Sequence, residues 1–160
     1  MTPIPEINSI KLREFLIELL NIPSPTGDTD KAIQFIEESM EAYDFLKVSR
    51  MQKGGLVATW EGENGSPSRG LTAHVDTLGA MVKEIKSNGR LKLSKLGGFP
   101  WNTVEGEGCT VYASSGSPVR GSILINKASV HVYGKDLGEA KRDDDHMEVR
   151  LDVRTTSREE

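Results

Sequence analysis

The chain has 160 residues, 36% of them hydrophobic and 28% charged, enough to bury a core and to form one domain or two small ones. A net charge of −4 leaves no basic footprint for nucleic acid or for an anionic membrane surface. The apolar stretches fall far short of a membrane span. The amino terminus, Met1-Thr2-Pro3-Ile4-Pro5-Glu6, has neither the basic start nor the hydrophobic centre of a secretory signal, so a cytoplasmic protein is expected. The single cysteine, Cys109, excludes an internal disulfide; set among Gly and Thr with no neighbouring His, it reads as a thiol packed in a strand.

From Ser9, the residues Leu12, Phe15, Leu16, Leu19 and Leu20 recur at helical spacing and predict an amphipathic helix. Two prolines and Gly27 in Ile22-Pro23-Ser24-Pro25-Thr26-Gly27 stop it. Asp28 or Thr29 can then cap a second helix running to about Tyr43, with Ile33, Ile36 and Met40 turned inward. Strands are expected at 45–48 and 55–60 around the turn Lys53-Gly54-Gly55. After a Gly-, Pro- and Ser-rich loop from Glu61 to Arg69, the apolar run Gly70-Leu71-Thr72-Ala73 reads as a buried strand leading to His74.

Beyond Gly79 the texture is that of strands. Ser87-Asn88-Gly89 between 82–85 and 91–93 is a hairpin signature, and further short strands are expected at 110–112 and 121–125 with Gly, Ser and Pro between them. Ser129-Val130-His131-Val132-Tyr133 alternates like a half-exposed strand. Trp101 is expected to pack within this β-rich region. The polar run ending in Asp143-Asp144-Asp145-His146 lacks the spacing of a calcium loop and reads as a solvated turn. Met147 to Arg154 then alternates apolar and charged residues, the pattern of a strand with one buried face. Thr156 with Glu159, and Ser157 with Glu160, carry the spacing of a capping box, the opening of a helix. The fold class is therefore α/β. Residues 1–77 are expected to form the N-terminal part of an α/β domain, 78–146 a β-rich barrel-like module, and 147–160 a strand returning to the first domain, in a chain that stops short of its full domain.

The triplet His74-Val75-Asp76 carries the chemistry. An imidazole can ligate a metal, and a carboxylate two residues on can hold its second ring nitrogen. A catalytic zinc site needs three protein ligands, so this corner supplies only part of one.

Together, Ile22-Pro23-Ser24-Pro25-Thr26-Gly27, the corner Ala73-His74-Val75-Asp76-Thr77-Leu78-Gly79-Ala80-Met81-Val82, the turn Leu96-Gly97-Gly98 and the closing Asp152 to Glu160 resemble a known family. It is that of the cytoplasmic dinuclear metallo-aminopeptidases, including the tetrahedral aminopeptidases and glutamyl aminopeptidases, whose members are sometimes misnamed endoglucanases. The resemblance implies an α/β zinc-peptidase domain interrupted by a small β-rich domain that dimerises. It implies His74 as a metal ligand and Asp76 as the carboxylate that orients it, with two divalent ions, zinc or cobalt. The bridging aspartate, the glutamate pair with the general base and the other ligands are then expected beyond residue 160. Glu159-Glu160 matches a segment ahead of those residues, not the pair itself.

The implied activity is removal of N-terminal residues from peptides, by a homo-oligomer that meets its partners through the β-rich domain. The 160 residues alone are expected to be inactive. Two other readings compete: a dipeptidase or deacylase of a related two-metal family, and a non-enzymatic β-rich dimerisation module in which His74 and Asp76 are an ordinary polar pair.

Overall fold

The computed structural model describes residues 6–65, 67–114 and 116–159. The reading of the first five residues and the spacing of Ser157 with Glu160 fall outside them. The chain forms two compact units, residues 1–77 and 78–160.

In the first unit, α1 (Ser9–Leu20) starts at Asn8, whose side chain accepts the Lys11 amide hydrogen at 3.0 Å. Such a cap satisfies one of the amide groups left over in a helix's first turn. The amphipathic stripe is present but unburied: Leu12, Leu16 and Leu20 are exposed, and no residue of α1 is buried. Phe15 meets Phe35 of α2 (Asp30–Met40) at 5.3 Å between ring centroids. Helix α2 buries Ala32 and Ile33 and ends at Met40, ahead of the expected Tyr43, with Ile36 and Met40 half-buried. β1 (Leu46–Arg50) and β2 (Leu56–Trp60) form an antiparallel hairpin in which Leu46 faces Trp60 and Arg50 faces Leu56. The Arg50 Nε donates to Glu37 of α2 at 2.6 Å, linking hairpin to helix.

One expectation for this unit fails. Residues 70–73 form no strand, and Leu71 is fully exposed at 103%. A strand exists only where a neighbour takes up its backbone donors and acceptors, and none of the described segments lies alongside this run as a ladder. Among the described residues, pairing here is confined to one parallel bridge between Pro25 and Thr77, where the Thr77 amide donates to the Ser24 carbonyl at 2.8 Å.

The second unit is a five-stranded antiparallel sheet. Its strands are β3 (Gly79–Ile85), β4 (Leu91–Leu96), β5 (Gly108–Val111), β6 (Val119–Ile125) and β7 (Met147–Leu151), in the spatial order β3-β4-β7-β6-β5. The hairpin expected at Asn88-Gly89 is there: the Lys86 amide donates to the Arg90 carbonyl at 2.8 Å, and Gly89 has φ +76°, which glycine adopts without strain. The last strand differs from its reading. Met147–Leu151 does not return to the first unit; it sits at the centre of this sheet, between β4 and β6. The segment 130–133 is also corrected, from strand to a single helical turn, α3 (Val130–Tyr133); it is followed by another, α4 (Asp136–Glu139). No helix follows Thr156 among the described residues.

Register explains the core. Leu91 and Ile123 both face Val149, and Ile125 faces Met147, so alternate residues of three neighbouring strands share one face. Leu91, Leu93, Trp101, Ile125, Met147 and Val149 form the buried cluster, each large side chain contributing about 1.5–3 kcal/mol. The central strands come so close that a Cβ on Gly121 would lie 2.7 Å from a Val149 methyl and 2.9 Å from the Arg150 carbonyl oxygen. Trp101 lies in a turn of 3₁₀ helix, packed as expected, with its indole N–H donating to Asp144 Oδ1 at 2.6 Å.

The acidic run is more than a solvated turn, because each member has a partner. Asp143 Oδ1 accepts the amides of Asp145 and His146, both at 3.1 Å, and lies 2.5 Å from His146 Nδ1. Asp145 takes the Lys92 ammonium at 2.6 Å. On β7 the strict alternation also breaks. Glu148, with 2% of its surface exposed, is held by Lys86 Nζ at 2.7 Å and by the Arg90 guanidinium.

A buried carboxylate between two cations is costly to undo from one side. Glu148→Ala is expected to destabilise the second unit by about 3 kcal/mol, since Lys86 and Arg90 keep partial access to water; chemical denaturation measures it. The Asp143 carboxyl is held below the usual carboxylate range, first by its bond to His146 and then by the two backbone amides. A lowered folded-state pKa adds stability that is present above the ordinary value of about 4 and is lost as pH falls through the folded value. The stability gap between wild type and Asp143→Asn should therefore be full at pH 7 and close below about pH 4, measured by denaturation across pH.

Candidate functional site

The site in the first unit is built on a turn. Pro23 and Pro25 keep the chain out of helix after α1, and the Asp28 amide donates to the Pro25 carbonyl at 2.8 Å, closing a four-residue turn. Gly27 occupies its third position with φ +95°, the conformation a type II turn demands there. The bridge from Pro25 to Thr77 brings the 74–77 segment beside this turn.

Three side chains then line up. The Thr26 hydroxyl donates to Asp76 Oδ2 at 2.7 Å, and His74 Nδ1 lies 3.0 Å from both Asp76 Oδ1 and the Asp76 carbonyl oxygen. Both of those oxygens only accept, so Nδ1 carries a ring hydrogen, and in the neutral ring the lone pair lies on Nε2. The Asp76 carboxyl is held below the usual range, above all by the Thr26 hydroxyl and then by His74, which outweigh the opposing effect of partial burial. Asp76 is therefore ionised at neutral pH. The His74 side chain is 81% exposed and that of Asp76 39%.

An exposed imidazole whose Nδ1 side is tied to a carboxylate, leaving Nε2 open, fits the donor requirements of a metal ligand. It provides one ligand. Among the described residues no group of three or more His, Cys, Asp or Glu is placed to hold an ion. His74, Asp76 and Thr26 border a cleft of about 2110 Å³ that also runs past Ile33, Met40 and Leu56.

The sequence pairing of His74 with Asp76 thus corresponds to a direct contact, although His74 sits in a segment without regular structure and not at the end of a strand. His131 lies on the short turn α3 of the second unit. Thr26 escaped the sequence reading as a site residue. Its motif announced a turn, but nothing in the sequence links it to a carboxylate fifty positions away.

The family that this fold and this corner define is matched directly: residues 54–160 fit the model of the M42 glutamyl aminopeptidases, and the chain belongs to that family. A Bacillus subtilis (strain 168) protein named "Putative aminopeptidase YhfE" is 51% identical over 142 residues, covering 89% of this chain. The chain spans 40% of that relative's length. Among solved structures, a TET aminopeptidase from Thaumarchaeota archaeon SCGC AB-539-E09 superposes with a TM-score of 0.80 at 24% identity, over 94% of this chain and 40% of that one. The Pyrococcus horikoshii TET1 peptidase, described as assembling into a tetrahedron or a large octahedral shell, gives 0.65 at 21% identity, over 92% of this chain and 42% of that one. These structures share the mixed α/β fold.

Removing the carboxylate that orients a ligating imidazole typically weakens metal binding by about 10- to 100-fold. If His74 ligates an ion, Asp76→Ala in a protein of the relatives' length is expected to lower zinc or cobalt affinity within that range, measured by competition with a chromogenic chelator.

Proposed function

We propose that this chain supplies part of the active site of a metal-dependent aminopeptidase that removes N-terminal residues from peptides. The observation that carries the proposal is the contact of His74 Nδ1 with an ionised Asp76 in a chain of the M42 family. On this reading His74 holds a divalent ion, zinc or cobalt, through Nε2. Asp76 orients the ring and does not act as the base, because its two carboxylate oxygens are engaged by Thr26 and His74. When bound, a pair of such ions supplies Lewis acidity for the scissile carbonyl and the attacking water. The matched relatives extend well past the portion that this chain spans, and we place the remaining ligands and the general base in that additional sequence.

The same reading makes the protein a cytoplasmic homo-oligomer joined through its β-rich unit. Two features support the contact: β3 and β5 are the edges of the five-stranded sheet, and Met81 and Ile85 on β3 are exposed. Unpaired edges with apolar side chains are sites of association.

Chromogenic aminoacyl substrates test the activity. A protein of the relatives' length that contains this chain should turn them over with added zinc or cobalt, and His74→Ala should reduce the rate to background. The 160 residues alone should be inactive. Turnover by these residues that disappears in His74→Ala would show that the site is complete within them, against the proposal.

A further inference from the structure

The geometry points to Thr26 as a positioning residue that acts through Asp76 to decide which nitrogen of His74 is free to bind an ion. The inference rests on the reading of His74 as a metal ligand. A carboxylate two residues from a histidine does not by itself fix that ring. Asp76 is partly exposed to solvent, its two oxygens are equivalent when ionised, and rotation about its terminal bond is soft, so water competes for both. The Thr26 hydroxyl removes this freedom by holding Oδ2 at 2.7 Å, which leaves Oδ1 facing His74 Nδ1.

Thr26 can do this because it is itself fixed by the backbone. It stands at the second position of the turn closed by Asp28 and Pro25, next to the glycine that the turn requires, and one residue from the parallel bridge to Thr77. Ser24, whose carbonyl accepts the Thr77 amide, is 1% exposed and anchors the near end. The β-branch of threonine further restricts the hydroxyl's direction. The chain Thr26 to Asp76 to His74 thus runs from a rigid turn to an exposed ring, and precise sites need support of this kind beneath the groups that act.

Long-range ¹H–¹⁵N spectra of the His74 ring, recorded on this chain without metal at one pH where imidazole is neutral, test the role of Thr26. The wild type should show the tautomer with hydrogen on Nδ1. Thr26→Val, nearly the same shape without the hydroxyl, should shift His74 toward the Nε2–H form that free imidazole prefers in water. Thr26→Ser should restore the wild-type pattern, while the amide signals of α2 and the β1–β2 hairpin stay unchanged in both variants. A His74 spectrum in Thr26→Val identical to wild type would overturn the role of Thr26. Zinc added to a wild-type protein of the relatives' length that contains this chain should move the Nε2 signal; no change there would instead overturn the metal reading, whatever the valine variant shows.

Discussion

The single parallel bridge between Pro25 and Thr77 is the constraint on which the candidate site depends. Without it, the turn at 25–28 and the segment at 74–77 would be two exposed stretches of chain, each with side chains free to rotate. One amide donating to one carbonyl, Thr77 to Ser24, brings Thr26 within reach of Asp76. Everything the imidazole can do follows from that register.

The second unit depends on a different element, β7. It carries two fully buried side chains of the core, Met147 and Val149, on one face and the buried Glu148 on the other. Its neighbours are adapted to it: Gly121 on β6 leaves room for Val149, while Lys86 and Arg90 reach Glu148 from the β3–β4 hairpin. Ahead of it, the acidic residues 143–145 tie the approach to β7 into the sheet through Lys92, Trp101 and His146. This is a polar frame around an apolar centre, in which each charge has a partner.

Periodicity and turn chemistry made much of this legible. The helical stripe from Leu12 to Leu20, the Asn88-Gly89 hairpin and the contact of His74 with Asp76 all depend on residues close in sequence, where spacing determines geometry. What escaped depends on contacts between distant residues. The alternation in Met147–Arg154 identified a strand but not its neighbours, and the placement of β7 between β4 and β6 is set by core packing. Glu148 fitted the exposed half of that alternation, yet it is buried because two cations reach it from sixty residues away. The run at 70–73 is apolar enough for a strand, but composition does not supply the partner that a strand needs. Val130 to Tyr133 alternates as a strand does, yet four residues are also one helical turn, and so short a segment does not discriminate between the periods.

The position of β7 also orders events as the polypeptide emerges from the ribosome. Synthesis proceeds from the amino terminus at about 5–20 residues per second. The β3–β4 and β5–β6 pairs are made of strands adjacent in sequence, and hairpins of that kind close within microseconds. The strand that joins them comes last of the five, so for a few seconds the nascent chain carries two separate hairpins with the inner edges of β4 and β6 open. Until Met147–Leu151 inserts between them, those edges are open templates for pairing with another nascent chain.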